Sequence, residues 1–285
     1  MTNTVAIVTD STAYIPKAMC ERHGIHVVPT WLRWGDKSYR DGVDIQSAEF
    51  FERLKTDPVH PATAAMSPGE MKMVYETALA GAGALVAIHV SAKLSAVYQA
   101  GVDAQAMLVG KPIHIIDAET TSMAMGFIVL AAAKAAQAGQ SAEAIVKLAK
   151  SAIPRVGILL TPETLTYLQR GGRIGAARAF LGNLLDSKPL LEVVEGEVKP
   201  VERVRSRKKA LGRLVDIVSE RLSGKSNVRL ATIHAAAPQD AAEVLEATKA
   251  KLGSAVVESF VTDVSPTVAV HIGPGTVGLI YSEGI

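Results

Sequence analysis

Leu85-Val86-Ala87-Ile88-His89-Val90 is a short, mostly apolar run that leads into Ser91-Ala92-Lys93-Leu94-Ser95-Ala96-Val97-Tyr98-Gln99. Such a run reads as a strand buried in a parallel sheet. The segment from Ser95 to Leu108 is rich in alanine and free of proline, and it repeats apolar residues at Val97, Ala100, Ala104, Met107 and Leu108. It therefore reads as a helix, with Ser95 at its start as the expected N-cap. Unpaired N–H groups and a positive dipole end gather at a helix start, and both suit an anion. A lone serine there more often only caps its own helix. The binding reading gains weight because other segments deliver hydroxyls to similar places.

Working outward, Val5-Ala6-Ile7-Val8 is a second buried strand, ending in Thr9-Asp10-Ser11-Thr12, with Pro16 placed to open a helix that Gly24 closes. Val27-Val28 starts the next strand, and Trp31 to Tyr39 reads as a hairpin turning at Gly35-Asp36, an insertion over about residues 30–42. Ser47 is expected to cap a helix ending near Lys55, and Asp57-Pro58-Val59-His60-Pro61 forces an extended loop that carries Thr63. Ser67-Pro68-Gly69-Glu70 combines a capping box with proline at the first helical position. Ile113-His114-Ile115-Ile116 is a strand ending at Asp117, and after Thr120, Thr121 and Ser122 come helices through Ala138 and from Ala142 to Ala152. This alternation predicts an α/β unit with a parallel sheet and helices on both faces. Ligands bind at the carboxyl ends of such strands. Asp10, Ser11, Ser91, Ser95, Thr121 and Ser122 are thus predicted to share one sheet edge.

Pro154 divides the chain into residues 1–153 and 154–285. Beyond it a strand, Val156 to Leu160, precedes a helix from Thr161-Pro162-Glu163 to Gly171-Gly172 and another from about Gly175 to Leu185. Leu190 to Val194 and Glu197 to Val204 are strands turning at Glu195-Gly196, followed by a helix from Ser206 to Leu222. A strand from Val228 to Ile233, a helix from Asp240 to Leu252, and strands from Val256 to Val261 and Val277 to Tyr281 complete the pattern. Hairpins mixed with helices predict a C-terminal α+β domain with a mixed sheet.

Composition narrows the function. In 285 residues, 48% are hydrophobic and 20% charged, as in soluble globular proteins, and the net charge of +2 gives no global basis for binding nucleic acid. Cys20 is the only cysteine and no signal peptide is read, so a cytoplasmic protein is expected. The longest apolar run, Met123 to Ala133, is too short to span a bilayer and reads as a buried helix. Gly273-Pro274-Gly275-Thr276-Val277-Gly278 has the G-x-G-x-x-G spacing, but only seven residues follow it, so no dinucleotide site is expected. Gly224-Lys225-Ser226 is a helix stop rather than a phosphate loop, since Ser219 stands where the first glycine belongs. Cys20, His23 and His26 lie on no common face, so no metal is expected there. No G-x-S-x-G elbow occurs, which weakens a serine-hydrolase reading.

Arg203, Arg205, Arg207, Lys208 and Lys209 crowd a helix start, where each exposed cation opposes the dipole at roughly 0.3–1 kcal/mol. The Arg207 to Lys209 run reads as solvated charge, and the sign mismatch points to an anion or an acidic partner nearby. Arg170-Gly171-Gly172-Arg173-Ile174-Gly175 is a tight turn holding two arginines out, either as a simple helix stop or for phosphate or carboxylate recognition.

Taken in order, these motifs resemble the DegV family, the fatty-acid-binding proteins that serve fatty acid kinases. The resemblance rests on Val8-Thr9-Asp10-Ser11, on Thr63 before Ser67-Pro68-Gly69-Glu70, on Ser91 to Gln99, and on Thr166 to Gly175. It continues through Lys188-Pro189-Leu190-Leu191 and His271 to Gly278, and so covers nearly the whole chain. It implies two domains with a fatty acid of about 16–18 carbons between them, a length consistent with the gain from burying methylenes. It also implies a carboxylate held by Thr63 and Ser95 with His271 close by, and Arg173 and Arg205 facing a partner kinase or its phosphoryl group. ATP and magnesium would belong to that kinase. This chain would carry substrate, need no cofactor, catalyse nothing itself and touch a membrane only transiently. Ala92, Ala96 and Val97 stand where the family commonly has serine, glycine and threonine, and Ala64 and Met66 replace residues that are often serine and proline. The Ala96 methyl is expected to narrow the head-group pocket. Two alternatives stay open: an acyl hydrolase using Ser95 or Ser11 with His271, and a lipid-storage or signalling module without a kinase.

Overall fold

The structure, a computed structural model, describes residues 4–181 and 187–285. Its strands are β1 (Val5–Asp10), β2 (Ile25–Val28), β3 (Trp31–Trp34), β4 (Lys37–Arg40), β5 (Ala62–Ala64), β6 (Ala84–His89), β7 (Ile113–Asp117), β8 (Val156–Thr161), β9 (Lys188–Val194), β10 (Glu197–Val204), β11 (Val228–His234), β12 (Val256–Asp263) and β13 (Val277–Glu283). Its helices are α1 (Lys17–His23), α2 (Ser47–Thr56), α3 (Pro68–Leu79), α4 (Val97–Ala106), α5 (Ser122–Gln137), α6 (Ala142–Ala152), α7 (Thr166–Arg170), α8 (Arg207–Arg221), α9 (Pro238–Leu252) and α10 (Pro266–Ile272).

The first sheet has the order β2-β1-β6-β7 and is parallel throughout. Its two central strands, β1 and β6, are the two continuous apolar runs, each buried at every position after the first. The edge strands are more open, as a strand with one unpaired side must be. The second sheet is mixed, in the order β10-β9-β8-β13-β11-β12, and only β11 and β12 run parallel in it. The hairpin insertion pairs β3 with β4 around Gly35, at φ +62°, and gains β5 as a third strand, so Thr63 sits on a strand and not in a loop.

The Met123 to Ala133 run lies within α5, where twelve of sixteen residues are buried. A helix apolar all round needs neighbours on every side. This one packs on β1 of the first sheet and on β8 and β13 of the second, with Phe127 against Phe260 of β12 at 6.3 Å between ring centroids. One hydrophobic core thus runs from Ile7 through α5 to Ile280. A smaller cluster, including Leu214, Leu230 and Val244, packs α8 and α9 on the second sheet.

Five local expectations change. The α4 helix starts at Val97 with Ala96 at its cap position, one residue after Ser95, because the chain first closes a turn in which the Leu94 and Ser95 N–H groups donate to Ser91 O, each at 3.0 Å; the Ser95 hydroxyl still accepts from the Val97 N–H at 3.3 Å. Gln46, not Ser47, is the cap residue of α2, since the Ser47 hydroxyl donates instead to Val264 O at 2.8 Å. No helix starts at Thr161: Glu163 is drawn into ion pairs with Lys188 and Arg207, and α7 begins only at Thr166. Arg207 is therefore paired rather than merely solvated, and it also reaches Asp240. The helix expected from Gly175 is a short 3₁₀ turn to Phe180, and the rest of that span, 182–185, lies outside the described residues. The helix α10 escaped the sequence reading, although Ser265-Pro266 repeats the start signal seen at Ser67-Pro68.

A methyl group on Gly126 in α5 would stand 2.6 Å from Ala13 O, a backbone atom. Gly126→Ala should therefore cost about 1–3 kcal/mol by overpacking. Gly212 of α8 is exposed with no atom near its missing methyl, so Gly212→Ala should instead gain roughly 0.5–1 kcal/mol. Thermal melting of the two variants beside the parent chain checks the opposite signs.

Candidate functional site

The carboxyl edge of the first sheet, the hairpin sheet with α10, and the inner face of the second sheet enclose a cavity of about 230 Å³. Its walls differ in kind. Strands β8, β9 and β11 contribute Ile158, Leu160, Val193 and Ile233, while the loops, β5, the start of α5 and α10 contribute Thr12, Thr30, Thr63, Ser95, Thr121, Ser122 and Thr267. A cavity with one apolar wall and one of hydroxyls suits an amphipathic ligand.

At the polar end, Thr63 is set by its register opposite Leu32, and its Oγ1 lies 3.0 Å from His271 Nε2 on the last turn of α10. Burial, then the nearby Arg173 charge and then His60, push the His271 imidazole down to a pKa of about 4, so it is neutral near pH 7. Its Nδ1 is buried without a partner among the described residues. A methyl on Gly171 would fall 2.1 Å from that nitrogen, so the first glycine of the Gly171-Gly172 pair leaves room for the imidazole. Gly172, at φ +70°, supplies the left-handed residue of the turn. Arg173 is not held out to solvent as its turn implied. It is half-buried, lines the cavity, and donates from Nε to Leu94 O at 2.9 Å and from Nη1 to Gly171 O at 2.6 Å. It thereby ties the loop after β6 to the turn after α7.

The structure brings Thr63, Ser95, Ala96, Thr121, Ser122, Arg173 and His271 to one cavity. Ala96 is itself exposed at the rim. Asp10, Ser11 and Ser91 do not line it. Asp10 lies beneath, accepting from the Thr12 hydroxyl at 2.6 Å and the Val90 N–H at 2.9 Å, with His89 Nδ1 at 3.1 Å. His89 Nε2 in turn meets the Tyr75 hydroxyl at 2.8 Å. Ser11 donates to Asp41 at 2.8 Å, and Ser91 donates to Gly196 O at 2.9 Å. Arg205 is exposed, lies away from the cavity and forms no ion pair among the described residues. Sequence reasoning missed Thr30 and Thr267. Both line the cavity, and their hydroxyls reach the buried Asp41 carboxylate at 3.3 and 2.8 Å.

A hydrolase needs its serine beside the base. Here Thr63 holds His271 Nε2, Asp41 and Thr30 hold Ser11, and the Ser95 hydroxyl accepts from the Val97 N–H at 3.3 Å. Neither serine is hydrogen-bonded to His271 among the described residues. Among those residues no group of three or more His, Cys, Asp or Glu is placed to hold a metal. A second, wider groove is rimmed by Asp117, Glu119 and Glu195, whose charges oppose an anion.

Two unlike sheets sharing one helix, with an amphipathic cavity between them, define an α/β protein built to enclose a ligand. The model of the DegV family of uncharacterised proteins matches residues 4–284, and the chain belongs to that family. It is 37% identical over 285 residues to a DegV domain-containing protein of Streptomyces coelicolor, covering 99% of this chain and 100% of that one. It superimposes on the fatty-acid-binding DegV family protein of Thermus thermophilus with a TM-score of 0.93 at 31% identity, covering 98% of this chain and 99% of that one. With DegV of Bacillus subtilis, a fatty-acid-binding protein, the TM-score is 0.88 at 32% identity, again covering 98% and 99%.

The depressed His271 pKa makes stability depend on pH. Between the ordinary histidine value of about 6.5 and about 4, the unfolded chain binds a proton that the folded chain does not. The contribution is therefore full above pH 6.5 and lost as pH falls toward 4, amounting to roughly 3 kcal/mol at most. His271→Gln should flatten the fall in melting temperature over that window, read as the difference between the two pH curves.

Proposed function

We propose that the cavity holds a long-chain fatty acid of about 16–18 carbons, and that the chain presents its carboxylate to a separate fatty acid kinase, which supplies ATP and magnesium. The observation that carries this is the polar end itself. Thr63 paired to a neutral His271, with Ser95 and Arg173 beside them, closes a cavity whose other wall is aliphatic. The similar proteins from Thermus thermophilus and Bacillus subtilis, both fatty-acid-binding, support the same reading.

Burying about 16 carbons at ~0.8 kcal/mol each yields on the order of 12 kcal/mol before the costs of binding. At about 230 Å³ the cavity is smaller than the ~300–1,000 Å³ of pockets that enclose drug-sized ligands, so the acyl chain must part the walls and part of that gain is lost in moving them. The head group needs partners, because a buried carboxylate without them costs several kcal/mol. Neutral hydroxyls supply them and leave one oxygen free for phosphoryl transfer. Among the described residues no helix is long and apolar enough to cross a membrane. Arg205, outside the cavity and exposed, is the arginine offered to the kinase, while Arg173 shapes the opening through which the carboxylate is reached.

Mass spectrometry of solvent extracts from protein purified out of a bacterial host should find a fatty acid in that range; a folded protein carrying a polar small molecule instead would sink the proposal. Thr63→Ala and Ser95→Ala should each weaken fatty-acid binding by roughly 1.5–3 kcal/mol, the usual contribution of a hydrogen bond to a charged group, with little change in melting temperature. Arg205→Ala should keep lipid and stability yet support little acyl-phosphate formation with kinase, ATP and Mg²⁺. Ester hydrolysis by the isolated chain, lost in Ser95→Ala, would favour the hydrolase instead.

A further inference from the structure

The first turn of α5 carries a polar group that none of the described residues satisfies. Ser122 is 1% exposed and lines the cavity, and its hydroxyl has no hydrogen-bond partner among the described residues. Thr121, at the cap position of α5, also lines the cavity, yet its side chain makes no cap bond. Other helices of the chain are capped by serine, since Ser67, Ser141 and Ser206 each accept from an N–H in the first turn of α3, α6 and α8. The leading N–H groups of any helix lack an intrahelical acceptor. In α5 the next two residues, Met123 and Ala124, are fully buried, so bulk water does not solvate that turn. A buried donor left unmade is costly, and so is its usual remedy, a trapped water, in a cavity with an aliphatic wall. The dipole of a sixteen-residue helix adds positive potential at the same place.

We propose that the start of α5, with the Ser122 hydroxyl, is a second polar subsite of this cavity that takes a hydrogen-bond-accepting oxygen of the bound acyl ligand. The inference rests on the acyl-binding reading above and adds to it a donor set separate from Thr63 and His271. Two sources supply such an oxygen: the carboxylate itself, gripped from a second side, or a hydroxyl or keto oxygen along the chain. Either one relieves the unpaired hydroxyl and the uncapped turn together. The backbone bears on the test, since Ser122 sits at φ +57°, a conformation glycine adopts freely and serine does not.

Ser122→Gly therefore removes the hydroxyl while relaxing the backbone, and its melting temperature should equal or exceed that of the parent chain. Should it melt lower, Ser122→Ala takes its place in the same measurements. Oleic acid and its hydroxylated counterpart, ricinoleic acid, are titrated into the parent chain and the variant, both stripped of lipid. The inference expects a roughly five- to tenfold weakening if the oxygen is a neutral one along the chain and a loss of more than about tenfold if it belongs to the carboxylate, the size of one lost hydrogen bond in each case. An equal loss for both acids assigns the subsite to the carboxylate, and a loss confined to ricinoleic acid assigns it to a chain oxygen. Unchanged affinity for both acids overturns the subsite while leaving the acyl-binding reading intact. Failure of the parent chain to bind either acid overturns that reading, and the subsite with it.

Discussion

Much of this fold depends on α5 having no solvent side from Ser122 to Leu130. A parallel sheet must be covered on both faces, and the inner face of the six-stranded sheet needs a partner of its own. One helix serves both, with β1 on one side and β8 and β13 on the other. That is possible only because its residues from Met123 to Ala133 are apolar around the circumference and small where the backbone comes close, as at Gly126 against Ala13. Two consequences follow. The two sheets cannot separate without exposing the most buried helix in the molecule. And the cavity lies where α5 begins, among the loops that follow β1, β6 and β7, which place Thr12, Ser95 and Thr121 in its lining.

Those loops must be stiff if they are to hold a ligand, and buried polar networks make them so. Asp10 receives the Thr12 N–H and hydroxyl, the Val90 N–H and His89, while Tyr75 closes the far side of the imidazole, all of them buried. A methyl on Gly101 would strike the Tyr75 hydroxyl at 2.7 Å, so even the helix behind is shaped around this chain of contacts. Asp41 is satisfied in the same style, by the hydroxyls of Ser11, Thr30 and Thr267 and the Thr267 N–H, and it joins the hairpin insertion to α10. Among the described residues no lysine or arginine is paired with Asp41. The protein thus holds the Asp41 carboxylate with hydroxyls and an N–H group, and the Asp10 carboxylate with a hydroxyl, N–H groups and the His89 imidazole, and in doing so it pins the residues on either side of its cavity. Such networks are worth having only when complete, since a partly satisfied one costs more than an apolar core.

Much of this was legible in the sequence, for reasons that can be named. Strands β1 and β6 announce themselves because a strand buried on both faces has no polar positions to dilute the run. The Ser67 capping box and the Gly35 turn are local chemistry, and local chemistry does not depend on the rest of the fold. The cap position of α4 falls one residue beyond Ser95 because the turn back to Ser91 is decided by contacts made after β6, not by residue type. Arg173 misleads because two backbone carbonyls, Leu94 O from 79 residues earlier and Gly171 O beside it, draw it inward. The α10 helix leaves almost no trace. It is seven residues long, too short for a periodic pattern, and it owes its place to Thr267 binding Asp41 across 226 residues. The family resemblance did what spacing alone does not: it grouped Thr63, Ser95 and His271, three residues that share no segment, and all three line one cavity, where Arg173, expected with Arg205 to face a partner, joins them and Arg205 does not.

The chemistry of that polar end follows from which charges are already committed. Arg173 is the cation nearest His271, and its guanidinium is engaged with Leu94 O and Gly171 O. Its charge still acts at a distance, since it helps keep His271 neutral. A neutral imidazole bound to Thr63 offers a hydrogen bond but no ion pair, so a carboxylate beside it would be neutralised by no formal counter-charge in contact. On the carrier reading this is the useful balance. A buried ion pair with a free arginine would hold the anion strongly and blunt the oxygen that must attack a phosphoryl group. Hydroxyl and N–H donors share the charge less completely, so the anion is held and its nucleophilic oxygen keeps its electron density. Most of the affinity is then left to the aliphatic wall, which acts on the chain and not on the reacting atom.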